Sequence, residues 1–549
     1  MRRFSSLWQK GFLSRYLWAA GLLLFLAMIQ APAWGEQYEE QKLLPSDGGQ
    51  YDMYGTSVAV FGEVALIGSP SANNGAGAVY VNRYDVGSGT WNEDVKLVAS
   101  NGQDYDGFGF SVGFFGDVAI VGAPYANNSI GAAYVFRYDT GSGIWNEEAL
   151  LLPSLGASDD YFGGSVVISG DVALVGAEMY DDSGYDAGAA YVFRYDSGAG
   201  TWSEEARLLA SDGQEYAHFG HGLALANDLA LIGAPWTDGV LGAVYAFRYD
   251  PGSSAWNQDA KLVASDGMMG DSFGASITLS GDFMLIGAEG FYGLAHGSAY
   301  FFQYDPIAGT WNEKQRFLPS DGEMGDYFGC SAALAGDLAL FGSKIATHDH
   351  GVTGAAYSLR YNALSGTWKQ QEKYVASDGF SMDELGVSVA LSSDFILVGA
   401  RADDDNGEDS GSAYAFDKIR PFSIDVKING QDGPLFLSET DTATCTIDIA
   451  AGSHAGTPVD VWILVMHRGA TGTRRWSCGN LGAPTLKPGW DSVFFTGGLS
   501  DLLETPFSVP LSNALGTCSV YLVLDDDPNG LLDIPNVWAF DSAAFVVQP

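Results

Sequence analysis

A text of about 54 residues is written seven times in this chain of 549 residues. Read from Leu97, one copy runs LVASNGQDYDGFGFSVGFFGDVAIVGAPYANNSIGAAYVFRYDTGSGIWNEEA, and similar text starts at Leu43, Leu151, Leu208, Leu262, Phe317 and Tyr374. The glycine after the aromatic residue falls at Gly55, Gly109, Gly163, Gly220, Gly274, Gly329 and Gly386, with spacings of 54, 54, 57, 54, 55 and 57. Tyr54 in the first copy and Leu385 in the last replace the phenylalanine of the others. A tryptophan keeps step at Trp91, Trp145, Trp202, Trp256, Trp311 and Trp368. A unit this short cannot bury its own apolar face, so the period restricts the chain to a stacked or circular array.

Each copy reads as four strands. In the second they are Ser111–Phe115, Val118–Pro124, Gly131–Asp139 and Trp145–Leu152, with Gly, Asp, Asn and Ser at the joints as tight hairpins require. No helical period is sustained through the repeat. Four-stranded sheets that bury their faces by radial stacking make a β-propeller. The seventh copy ends at GSAYAFDKIRP without a fourth strand, and the text Gln37–Leu43 resembles the missing one when set against Trp91–Leu97. The sequence therefore predicts an all-β fold: a closed seven-bladed β-propeller over 36–420 whose first residues complete its last blade.

Composition narrows the function. There are 26 Lys+Arg against 67 Asp+Glu, a formal net charge of −41. Phosphate recognition needs a basic footprint, so nucleic acid is excluded as a general partner, and anionic membrane surfaces are disfavoured. Residues 1–35 read as a signal peptide: Arg2, Arg3, Lys10 and Arg15 precede an apolar run from Tyr16 to Ile29 and small residues at Ala31 and Ala33. That run is shorter than the ~20 residues of a spanning helix. No later stretch is long and apolar enough to span a bilayer. The mature chain is expected to be exported, either secreted or at a cell surface, or in the periplasm.

The Phe108-Gly109…Gly122-Ala123-Pro124 spacing resembles the FG-GAP repeats of the integrin α-subunit propeller. The S-D-G-x-x-x-D-x-F-G lead-in, as in Ser320–Gly329, is similar to bacterial secreted FG-GAP proteins. The resemblance spans residues 37 to about 417. It implies an extracellular binding or adhesion module for a protein or glycan partner, and not an enzyme. The integrin cation sites do not carry over: integrin repeats hold Ca²⁺ in the hairpin between strands one and two, whereas here that hairpin is as short as Ser169-Gly170-Asp171. So short a turn cannot supply six oxygens.

Connections in such a ring alternate between its two faces. The S-D-G lead-ins and the loops after G-A-P share one face; the S-G-D turns and the Y-D-x-G-S-G-T-W hairpins share the other. Recurring acids such as Asp47, Asp212, Asp266, Asp321 and Asp378 read as turn-formers. Variation gathers in the loops after strand two, where Tyr125, Tyr180, Trp236, Phe291 and Tyr292 are the candidate ligand-binding residues. His218, His221, His296, His348 and His350 fall on the same face. Strand-one residues are expected nearer the axis than strand-two loops, which argues against one compact metal site.

After Arg420 the text changes, and alternation at Thr444–Ile449, Val459–Met466, Ser519–Leu524 and Ala543–Val547 predicts a second all-β unit. About 130 residues suit one sandwich. The segment resembles the immunoglobulin-like domains that follow propellers in some bacterial surface proteins, and the expected sandwich covers 421–549. Cys445 and Cys518 are the preferred disulfide, with Cys478 the competing partner. The run Asp525 to Asp533 sets Asp525, Asp527, Asn529, Leu531 and Asp533 at the odd positions of a loop that could hold calcium, although the closing Glu is absent. Alternatives to the binding module are a propeller lyase or glycosidase acting on polysaccharide and a structural surface-layer component.

Overall fold

A computed structural model describes residues 36–226, 228–290, 296–348, 351–362 and 365–417, and beyond them strands between 423 and 548. The backbone divides into a compact unit over 34–418 and a second that takes in residues from 419 onward. The first is a ring of seven blades, each an antiparallel sheet of four strands, with a fifth, parallel strand added to the sixth. Blade two shows the pattern: Ser111–Phe115, Val118–Ala123, Ala132–Asp139 and Ile144–Leu151, each hydrogen-bonded to the next. Its second strand is buried at every position, so it carries no polar alternation.

The motif glycines explain how the blades join. A Cβ placed on Gly122, the glycine of G-A-P, would lie 1.9 Å from the carbonyl oxygen of Gly163 in the next blade. The same approach recurs from Gly68 to Gly109, from Gly342 to Gly386 and, across the closure, from Gly399 to Gly55. Gly163 itself has φ +93, a left-handed value that disfavours any residue with a Cβ. Its carbonyl also accepts the Ser111 hydroxyl at 2.8 Å, and Ser388 does the same to Gly55 at 2.8 Å. Beside each joint the FG aromatic, or Leu385 in the seventh copy, is buried. The Phe162 amide donates to Ile130 O of the preceding blade at 3.0 Å, and the Phe162 ring meets Tyr191 edge-on at 5.3 Å.

The expected ring closure is present. Gln41–Leu43 pairs antiparallel with Ser412–Asp417 as the outer strand of blade seven. Side chains fix the register: Glu39 accepts the Ser377 amide at 3.0 Å and its hydroxyl at 2.6 Å, as Glu93 does for Ser46 and Glu147 for Ser100. The N-terminal segment also does something its likeness to the other outer strands did not foretell. Glu36–Tyr38 leaves blade seven and runs parallel to Thr367–Val375, the outer strand of blade six. The segment therefore stitches two blades.

In the second unit, Ser423–Ile428, Thr442–Ala450 and Phe507–Pro510 form one sheet, and a larger sheet includes Pro458–Gly469, Gly516–Asp525 and Val537–Gln548. Cys445 lies on a strand of the first sheet, and Cys478 and Cys518 lie on strands of the second. Residues 526–536, which include Asp527, Asn529, Leu531 and Asp533, and the proposed signal segment 1–35 lie outside the described residues.

The joint and the closure each have a stability test. Gly122→Ala should cost about 3 kcal/mol or more, or prevent folding, because backbone stands where the methyl must go. Gly116→Ala, at a turn with φ +64 and no atom within 4 Å, should cost only ~1 kcal/mol. Equal losses in urea titrations would contradict the joint. Deleting 36–43 should lower stability by at least ~3 kcal/mol, since Leu43 is 3% exposed and ladder bonds to two blades go with it. An unchanged melting temperature would contradict the closure.

Candidate binding face

The lead-in loops are held by a network that repeats from blade to blade. The third-strand tyrosine is buried and its hydroxyl donates to the S-D-G aspartate: Tyr80 to Asp47 at 2.7 Å, Tyr245 to Asp212 at 2.8 Å, Tyr300 to Asp266 at 3.0 Å and Tyr414 to Asp378 at 3.0 Å. A basic residue on the outer strand completes the set: Lys96 meets Asp47 at 2.8 Å, Lys261 meets Asp212 at 2.7 Å, and Lys373 meets Asp321 at 2.6 Å. The Lys96 ammonium and Tyr80 hydroxyl hold the Asp47 carboxyl below the usual carboxylate range. These repeated aspartates are structural, as the sequence suggested.

The residue after G-A or G-S departs from proline in four copies: Glu178, Glu289, Lys344 and Arg401. Each enters an ion pair on this face. Lys344 meets Glu289 at 3.2 Å, and Arg401 Nε donates to Glu384 at 2.7 Å. Glu178 receives His221 Nδ1 at 2.5 Å, with His218 Nδ1 at 3.7 Å. Strand-one and strand-two residues of adjacent blades thus do meet here, against the expected separation. The reason is the joint itself, which draws the first-strand end of one blade onto the second-strand end of the preceding one. Of the remaining histidines, His296 is exposed, and the His348 side chain and His350 lie outside the described residues. No group of three or more His, Cys, Asp or Glu fit to hold a metal ion occurs among the described residues.

Burial pushes the Glu178 carboxyl up, but His221 and His218 outweigh it and hold the group well below its ordinary value. Desolvation pushes His221 down, and the Glu178 carboxylate outweighs that and raises it.

A cleft of about 840 Å³ opens on this face where the loops of blades one and two part. Thr56, Pro70 and Phe110 line one part, Asn101, Gln103 to Gly107 and Tyr125 to Ser129 line more of it, and Arg401 also reaches it. Tyr125 is 40% exposed and sits edge-on to Phe110 at 5.8 Å and Tyr161 at 5.5 Å. Of the other candidates, Trp236 packs on His218 at 4.0 Å between ring centres. Tyr180 is corrected by its surroundings: at 7% exposure it belongs to a core cluster, donates to Asp182 at 3.0 Å and lies under the Arg207 guanidinium. It serves blade three in place of the lead-in acid, which there is Leu155. Phe291 and Tyr292 fall outside the described residues. The sequence reading placed His221 on this face but missed its partner Glu178, and it missed Arg401. Their signal was the loss of proline from an otherwise repeated motif.

A ring of FG-GAP blades with a varied loop face defines a repeat propeller. A profile described as FG-GAP repeat matches residues 38–82, 91–136, 145–193, 202–247, 256–302, 311–359 and 368–416, and the chain belongs to that family. The first match begins in the N-terminal segment that completes the ring. Human integrin alpha-11 is 31% identical over 177 residues, covering 30% of this chain and 14% of the integrin, so the chain spans a small part of that relative. Among solved structures, a Bacteroides fragilis protein proposed to be a 6-phosphogluconolactonase aligns at TM-score 0.42 and 14% identity, covering 61% of this chain and 86% of its own. Saccharomyces cerevisiae Sqt1 aligns at 0.39 and 10%, covering 70% and 100%. Likeness at that level bears on neither family nor activity. No helix among the described residues is long and apolar enough to cross a membrane.

The Glu178–His221 pair sets a pH dependence. A raised imidazole stabilises below its unfolded value of 6.5 and loses that contribution as pH rises through its folded value; a lowered carboxyl stabilises above 4.5 and loses it as pH falls. The difference in melting temperature between the natural chain and His221→Gln should be largest near pH ~5–6 and smaller near pH ~9. A constant difference would contradict the assignment.

Proposed function

We propose that this chain is an exported extracellular binding or adhesion module whose loop face recognises a protein or glycan partner. The observation that carries the reading is the exposure of large apolar side chains at the tips of otherwise locked lead-in loops. Tyr105 is 76% exposed, Met269 79% and Phe380 77%, with Tyr51, Tyr216 and Met324 at matching places in other copies. Aromatic and methionine side chains recurring at the loop tips of a rigid scaffold suit an interaction surface. The acid excess directs it away from anionic partners. The 31% likeness to part of an integrin α-subunit supports the same class of role.

The N-terminal 35 residues serve as the export signal in this reading. The second unit is an immunoglobulin-like sandwich that spaces or supplements the propeller, with a Cys445–Cys518 bridge. Calcium orders the turn from Asp525 to Asp533 by relieving repulsion among its carboxylates, at the ~10⁻⁴–10⁻³ M affinity usual for extracellular modules. Millimolar Ca²⁺ should then raise a melting transition of the full chain relative to EDTA, and Asp527→Ala should remove the difference. Equal melting would leave an ordinary acidic turn.

A combined Tyr105→Ser, Met269→Ser and Phe380→Ser variant tests the face against a control set, Val86→Ser, Ile144→Ser and Ile307→Ser, on the opposite hairpins. Binding to arrayed extracellular proteins and glycans should fall at least tenfold in the first set alone. Turnover of a polysaccharide would instead establish the lyase or glycosidase alternative.

A further inference from the structure

Blade two breaks the locking network of the loop face in a coherent way. The lead-in acid is Asn101 where five other copies have aspartate, and the outer-strand basic residue is Leu150 where the other six carry Lys42, Lys96, Arg207, Lys261, Arg316 and Lys373. Strand register confirms the equivalence, since Leu150 stands opposite Tyr134 as Lys96 stands opposite Tyr80. The Tyr134 hydroxyl is still satisfied, by Asn101 Oδ1 at 2.9 Å. Both charges have therefore been removed without loss of the tyrosine anchor.

The change frees a neighbouring amide. In blade one, Asn73 accepts Lys96 at 3.3 Å, and in blade four Asp238 accepts Lys261 at 3.2 Å. The equivalent Asn127 has no lysine to meet, and neither its amide nor that of Asn128 has a hydrogen-bond partner among the described residues. Both asparagines hold left-handed backbone angles, φ 55, ψ 44 and φ 59, ψ 47, so their side chains leave a fixed turn. They line the cleft with Tyr125 and Tyr134. Arg401 at the same cleft is already held by Glu384.

Neutral amides that both donate and accept, an aromatic ring that is part exposed and pinned, and a volume within the ~300–1,000 Å³ of small-molecule sites describe one kind of ligand. A sugar ring presents an apolar C–H face to an aromatic and hydroxyls that both donate and accept. The lead-in acid is lost at Asn101, and the carboxylates left at the cleft are Asp104 and Asp106, of which Asp106 accepts the Gln103 amide at 2.8 Å; like the amide oxygens they can accept from sugar hydroxyls. An anion would meet the field of a chain with net charge −41. We propose that the cleft between blades one and two is a saccharide site for a neutral, hydroxyl-rich sugar unit, with Tyr125 as the stacking platform and Asn127 and Asn128 as its hydrogen-bonding partners. This rests on the loop face being a binding face and names the ligand class for one part of it.

The test is titration of the full chain with neutral oligosaccharides of hexose and N-acetylhexosamine units, beside uronate-containing ones, read by ligand-observed NMR. The natural chain should bind members of the neutral set. Tyr125→Ala should weaken binding at least tenfold. Asn127→Gly with Asn128→Gly, which suits the left-handed backbone, should do the same without lowering the melting temperature. Binding only of uronates, or neutral-sugar binding untouched by both variants, would overturn the proposal. So would no saccharide binding by a chain whose loop face still engages a protein partner, and that outcome would leave the broader reading standing.

Discussion

Backbone touching backbone between blades is the contact on which this ring depends. At each seam a glycine of one blade lies within van der Waals reach of the carbonyl of a positive-φ glycine in the next, as Gly122 does with Gly163. Side chains of any size at either position would pry the wedge open. At six of the seven seams the carbonyl so delivered accepts a serine hydroxyl from the first strand of the preceding blade, Gly222 taking that place in blade four, and the buried Phe, Tyr54 or Leu385 beside the joint fills the space the glycines leave. The motif is therefore one inter-blade joint written in sequence, and its residues cannot vary independently.

Because that joint is shared, what repeats in this chain is scaffold and what fails to repeat is free for function. The Tyr–Asp–Lys set of the loop face illustrates both halves. In blades one, four and seven it is complete; blade three rebuilds it from Tyr180, Asp182 and Arg207; blade two leaves out the charges. Proline gives way to charged residues at the G-A-P end in four copies; Glu178, Glu289 and Lys344 pair across seams, and Arg401 pairs with Glu384 within blade seven. A rigid ring tolerates such changes because each lead-in loop is also held within its own blade, as the Ser46, Ser100 and Ser377 amides are by outer-strand glutamates.

Much of this was legible in the sequence. The period, the four strands per copy and the completion of blade seven by the N-terminal segment were read correctly, since glycine spacing and the likeness of Glu39 to Glu93 are local facts. The parallel pairing of Glu36–Tyr38 with blade six was not, because nothing in three residues announces a second partner. Tyr180, named with Tyr125 as a candidate ligand-binding residue, is buried, because a loop tyrosine and a core tyrosine look alike in sequence until the loop folds back over Arg207. The Glu178–His221 contact was missed because the residues lie 43 positions apart and meet only through the seam. Tyr125 was picked out for its loop, but the cleft around it needed the comparison of Asn101 and Leu150 with their counterparts.

The account holds that blade two has exchanged a structural ion pair for a binding site on an unchanged scaffold. Restoring the pair with Asn101→Asp and Leu150→Lys tests this directly, by melting temperature and by binding to the neutral oligosaccharide panel together. The introduced ammonium should meet the introduced carboxylate and the Asn127 amide as Lys96 meets Asp47 and Asn73, keeping or raising the melting temperature while binding is lost. Binding that survives the double change, or a chain that no longer folds with it, would contradict the account.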